Sequence, residues 1–145
     1  MSAVGATVQK VDVDLLDYNT DRPITTLDGK PFTGIATEHF AHGMQYIEQH
    51  YKGGLLHGVT QVWNGQQMLI ERTSYGYGCK HGPYQKWGPE GGLIESGCHE
   101  RGMLVERNER NPEGILQRTY FIEPDSPEAA LLATLRQFEV PEEYQ

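Results

Sequence analysis

A 24-residue periodicity runs through the middle of the chain and restricts its fold more than any other feature. From Tyr51 the sequence reads Y-K-G-G-L-L-H-G-V-T-Q-V-W-N-G-Q-Q-M-L-I-E-R-T-S. From Tyr75 it reads Y-G-Y-G-C-K-H-G-P-Y-Q-K-W-G-P-E-G-G-L-I-E-S-G-C. Tyr51/Tyr75, Gly54/Gly78, His57/His81, Gly58/Gly82, Trp63/Trp87 and Glu71/Glu95 all coincide in one register. A repeat of this length is a small unit that cannot bury its apolar face alone and must stack on its neighbours. The register decays at both ends: Thr33 stands where histidine is expected before Gly34, and Val105-Glu106 replaces His-Gly. Terminal copies face solvent on one side, so atypical sequences are expected there.

Each unit reads as a β-hairpin. Gly58 to Trp63 is strand-like, Asn64-Gly65 is a tight hairpin turn, and Met68 to Tyr75 returns. The second copy uses Gly88-Pro89-Glu90-Gly91-Gly92 as a longer loop, and His42-Gly43 turns the first. Asn111-Pro112-Glu113-Gly114 is a weaker turn before the strand-like ILQRTYFI. Glycines 54, 58, 78, 82 and 102 fall at the links between hairpins, where positive φ or close backbone approach is needed. Residues 8–18 alternate apolar and acidic side chains and read as a strand or extended lead-in, and Asp28-Gly29-Lys30-Pro31 reads as a turn. Asp125-Ser126-Pro127-Glu128 is a helix start, with Leu131, Leu132, Leu135 and Phe138 on one apolar face and Pro141 as the stop. That helix is expected to cover the last strand, which would otherwise be an open edge.

The expected fold is therefore mainly all-β. It is an elongated single-layer antiparallel sheet of stacked hairpins with a C-terminal α-helix cap. One domain spans the chain: a lead-in over 1–26, hairpin repeats over 27–121, and the helix and tail over 122–145.

Charge narrows the function. Twelve Lys and Arg against twenty Asp and Glu leave a net charge of −8 in 145 residues. A nucleic-acid binder needs a basic footprint, and a lipid-surface binder a dense Lys/Arg cluster; neither is present. No apolar run is long enough for a bilayer, and the opening MSAVGATVQK has no charged n-region or apolar h-region. Two cysteines do not make a disulfide scaffold. These features predict a soluble cytoplasmic protein that binds neither nucleic acid nor membrane.

Candidate chemistry is sparse. His57, His81 and His99 lie near Cys79 and Cys98, but C-x-H followed by C-H does not match the compact ligand pairs of structural zinc. The histidines read instead as repeat residues that pack on linker glycines or hydrogen-bond a backbone carbonyl, and no metal or cofactor is expected. If the hairpin closes around Pro89-Glu90, Cys79 and Cys98 come nearly opposite each other; whether they pair is left open. Cys98 and His99 are adjacent and point to opposite strand faces, whereas Cys79 and His81 share a face without an evident oxyanion donor. No phosphate loop, nucleophile elbow, H-E-x-x-H or EF-hand motif occurs, so the chain is not expected to be an enzyme. Trp63 and Trp87 read as an inter-repeat ladder, while Tyr46, Tyr77 and Tyr84 are open to other roles.

The Y-x-x-G-x-x-H-G-x-x-x-x-W-x-x-G pattern resembles the MORN-variant repeat (membrane occupation and recognition nexus), best over Tyr51–Glu71 and Tyr75–Glu95. DGKPFTGIA at residues 28–36 also resembles the opening of such arrays, and the likeness extends over roughly residues 27–121. Within that family the chain is most similar to bacterial MORN-repeat antitoxins and immunity-type proteins. The resemblance implies a non-catalytic protein that neutralises a cognate toxin by direct binding and occlusion of its active site. Toxins that act on nucleic acid are commonly basic, and an acidic inhibitor would be steered to one. Glu48, Glu71, Glu90 and Glu95, with Tyr84 and Trp87, are the candidate contacts. The alternative, which the repeat's name implies, is a scaffold or membrane-associated interaction module, and it would need a basic or strongly apolar face.

Overall fold

Two kinds of chain reversal alternate along the molecule and set the strand lengths. The computed structural model describes residues 8–18, 21 and 24–138. The first kind is a two-residue turn, found at Asp28-Gly29, Gly53-Gly54, Tyr77-Gly78 and Arg101-Gly102, with both residues at positive φ. This type I′ geometry matches the strand twist, and its second position is glycine in all four. The second kind spans five residues and is closed by amide-to-carbonyl bonds from Phe40 to Met44, Asn64 to Met68, Gly88 to Gly92 and Asn111 to Ile115, at 2.8–3.0 Å. Asn64-Gly65 is thus not a tight turn. The Asn64 carboxamide accepts from the amides of Gln66 and Met68 at 2.9 and 3.1 Å, which stabilises the wider loop. The expected difference in length between the Asn64-Gly65 turn and the Gly88–Gly92 loop disappears, and the tight turns lie at the opposite ends of the strands.

Between these reversals run β5 (Gly34–His39), β6 (Gln45–Lys52), β7 (Leu55–Leu56), β8 (Gly58–Trp63), β9 (Leu69–Gly76), β10 (Cys79–Trp87), β11 (Leu93–Glu100), β12 (Met103–Arg110) and β13 (Leu116–Phe121). Before them come β1 (Lys10–Asp12), β2 (Asp17–Tyr18), β3 (Thr25–Leu27) and β4 (Lys30–Pro31). One ten-stranded sheet has the order β1-β5-β6-β8-β9-β10-β11-β12-β13, with β7 also paired to β6, and β2-β3-β4 form a second, three-stranded sheet. All pairings are antiparallel except β1 with β5. The fold is mainly β, as expected.

The repeats interlock through the tight turns. The amides of Gly54, Gly78 and Gly102 donate to the carbonyls of Phe32, Leu56 and Lys80 at 2.8–2.9 Å, one bond for each copy. Each turn thus finds its backbone partner in the copy before it.

The lead-in does more than extend the sheet. The Ile35 amide donates to the Gln9 carbonyl at 2.8 Å, fastening β1 alongside β5. A 3-10 turn at Val13–Leu15, capped by the Asp12 carboxylate, then brings Leu16 into a buried cluster with Phe32, Ala36 and Tyr51. The Phe32 and Tyr51 ring centroids lie 5.7 Å apart, and Val11, Val13, Leu27 and Leu56 pack around them.

The other end is different. β11 and β12 contain no buried residue, and β13 is exposed apart from Tyr120. Helix α1 (Pro127–Leu135) begins as expected: the Ser126 hydroxyl accepts from the Ala129 amide, Pro127 opens the first turn and Glu128 lies near the positive end of the dipole. It does not cover β13. Arg136 grips Glu100 through two bonds of 2.6 and 2.8 Å, and Arg101 donates to the Phe138 carbonyl at 3.0 Å. These bonds hold the end of the helix at the β11–β12 turn. Of its expected apolar face only Leu132 is buried, while Leu131 and Phe138 stay exposed. Pro141 lies outside the described residues. Among those described, no helix is long and apolar enough to cross a membrane.

Candidate partner-binding face

Strand register decides which candidate residues meet. Lys86 of β10 lies opposite Glu71 of β9 and Glu95 of β11, and Tyr84 lies opposite Thr73 and Gly97. Alternation therefore puts Glu71, Tyr84, Lys86 and Glu95 on one face. There they line a shallow hollow of about 140 Å³ together with Lys80, His99 and Arg107. The Tyr84 hydroxyl donates to Glu95 Oε2 at 2.8 Å, and the ring, only 4% exposed, crosses Gly97 and lies 4.8 Å from that of His99. Burial, and then the bond to the Glu95 carboxylate, holds the Tyr84 phenol well above its ordinary value, so it remains the donor. Glu71 accepts a longer bond from the Thr73 hydroxyl, at 3.4 Å.

His99 takes the place in the repeat that Tyr51 and Tyr75 hold in earlier copies. Its Nδ1 is buried with no hydrogen-bond partner among the described residues. Burial, and then the charges of Lys80 and Lys86, lowers its pKa and favours the neutral ring.

The other three candidates lie elsewhere. Glu48 of β6 pairs with Gln61, which is on the opposite face from Glu71, and accepts from Gln45 and His50 at 3.0 and 3.1 Å. Burial pushes the Glu48 carboxyl up, but those bonds, with the charges of His50 and Lys10, outweigh it and lower its pKa. Trp87 is half-buried at the end of β10 opposite Leu93, as Trp63 is opposite Leu69. Glu90 is exposed in the Gly88–Gly92 loop. The sequence reading missed Lys80, Lys86 and Arg107, and weighed His99 only as a metal ligand or a partner for Cys98. One signal was within reach, because extending the Tyr51/Tyr75 register by another period lands on His99.

Cys79 and Cys98 do not come opposite each other. The β10–β11 register places Cys98 against Pro83, four residues from Cys79, while Cys79 pairs with Gly76 of β9 and lies beside Gly102; both thiols are free. His81 bonds the backbone in the opposite sense to the one expected: Nδ1 accepts from the Arg101 amide at 3.0 Å instead of donating to a carbonyl, and the side chain packs against Gly76. Among the described residues no three His, Cys, Asp or Glu side chains converge as a metal site.

No protein-family model matches the chain, and a search of curated proteins returns no match. The MORN-like reading therefore stands on the repeat residues themselves.

Proposed function

We propose that the chain is a non-catalytic protein-binding module of the antitoxin or immunity type, which neutralises a basic protein by lying across its active cleft. The observation that supports this reading most is the openness of the C-terminal half. Five of the six side chains of β13 are exposed, and those of β11 and β12 are half-buried or exposed with none fully covered, which leaves area for a partner. A protein partner needs a broad surface of this kind, with polar groups around a few apolar anchors. The net charge of −8 raises the encounter rate with a basic molecule, while the alternating signs of Glu71, Lys86 and Glu95 fix its docking register.

The test is capture from the native source with the whole chain and with a Glu71→Lys/Glu95→Lys variant, followed by assay of the captured partner. The expected result is a basic protein that is inhibited at equimolar ratio and released by the variant. A partner left fully active in excess of the chain would contradict the reading.

A further inference from the structure

Among the described residues, the outer edge of β13 lacks the devices that ordinarily close a strand edge: proline, a covering helix, or several charges. Over residues 115–122, ILQRTYFI, there is one charge, Arg118, and no carboxylate, in a chain whose net charge is −8. Phe121 is 61% exposed and Leu116 48%. The bonds of Arg136 and Arg101 hold the end of α1 at the β11–β12 turn, away from this edge. At the far side of the same sheet, β1 is only three residues long and carries Lys10 and Asp12, so it offers no comparable template.

The hydrogen-bond parity of the edge follows from its inner side. The Ile122 amide donates to the Val105 carbonyl at 3.0 Å, and Tyr120 and Arg118 pair with Arg107 and Glu109. Antiparallel alternation then turns the amides and carbonyls of Thr119 and Phe121 outward. Among the described residues these groups have no strand beyond them.

We propose that this edge pairs with the same edge of a second copy, antiparallel, about a two-fold axis at Tyr120. This inference goes beyond the partner reading and stands independently of it. Only registers that keep facing side chains on one surface are allowed. Centring on Arg118 opposes two guanidinium groups, and centring on Thr119 engages Gln117, where the pairing with β12 is already irregular. Centring on Tyr120 sets Tyr120 against its own copy, Thr119 against Phe121 in both directions, and Arg118 against Ile122. Aromatic–aromatic and aromatic–β-branched neighbours are the favourable cross-strand pairs. The outward groups of Thr119 and Phe121 then form reciprocal bonds across the axis. The carboxylate-free edge lets two acidic molecules meet where neither presents an acid.

Sedimentation velocity on the full chain over a wide concentration range tests this directly. A reversible species of twice 16.4 kDa is expected. Thr119→Lys/Phe121→Lys sets lysine against lysine across the axis and should weaken dimerisation about tenfold or more while leaving the far-ultraviolet spectrum unchanged. In a Cys79→Ser/Cys98→Ser background, Tyr120→Cys should cross-link to itself under mild oxidation, and Thr119→Cys should not. A 16.4 kDa species at every concentration would overturn the proposal. So would a dimer that survives the double lysine variant, or one in which Tyr120→Cys fails to cross-link.

Discussion

Around β5 and β6 the sheet has a true core: Leu16, Phe32, Ala36 and Tyr51 are buried together, and the lead-in wraps them. Around β12 and β13 the same kind of hairpin, bearing the same two kinds of turn, has nearly every side chain at least partly in water. The difference lies outside the repeat. At one end the flanking chain returns as β1 and a 3-10 turn; at the other it leaves as a helix that docks on a turn. A repeat sheet of this type gains depth only where neighbouring sequence folds back onto it.

The sharpest way to break this comparison is a pair of truncations at its two ends. Phe32→Ala should cost about 3–5 kcal/mol, because it empties a site only 2% exposed. Phe121→Ala, in dilute solution, should cost less than about 0.5 kcal/mol. Urea unfolding midpoints measure both, and equal losses would remove the distinction. Within the thin end, backbone spacing replaces apolar burial as the sensitive quantity. A Cβ at Gly97 would run into the Glu106 carbonyl and reach within 2.8 Å of the Tyr84 ring. Gly97→Ala should therefore destabilise by about 1–3 kcal/mol in the same unfolding measurement.

Acid sharpens the picture further. Burial is the leading cause that lowers the pKa of both His57 and His99, so the unfolded chain takes up protons more readily than the folded one. Their contribution is intact above the ordinary histidine value of about 6.5 and declines as the pH falls below it. Unfolding midpoints should thus drop between about pH 7.5 and 5.5, and His99→Tyr should flatten part of that drop. The smallest effect is expected at α1. Arg136→Ala should accelerate amide exchange across residues 129–135 and leave that of β5 and β6 unchanged, because the bond to Glu100 ties a peripheral helix.

The spacing of Tyr, Gly, His and Trp was enough to read hairpins and their order, since each unit is local and its glycines fall where the backbone needs them. Turn type was not legible at Asn64-Gly65, because the carboxamide of Asn64 can serve a wider loop as well as a tight one. The pairing of β1 with β5 was hidden for another reason: it joins segments more than twenty residues apart through backbone groups and leaves no periodic mark. At the candidate face, Glu71 and Glu95 were found by repetition, but the thiols were not, because the β10–β11 hairpin is centred between Glu90 and Gly91 and so sets Cys98 against Pro83. The position of α1 depended on Arg136 meeting Glu100, a contact that no local pattern announces.

Native-state hydrogen exchange in dilute solution tests most directly whether stability is graded from the wrapped end to the open one. The account predicts the slowest exchange at the paired amides of β5 and β6, intermediate rates through β9 to β11, and the fastest among sheet amides at the inward-facing Arg118 and Tyr120 of β13. Protection of Arg118 and Tyr120 as strong as that of β5 and β6 would contradict it.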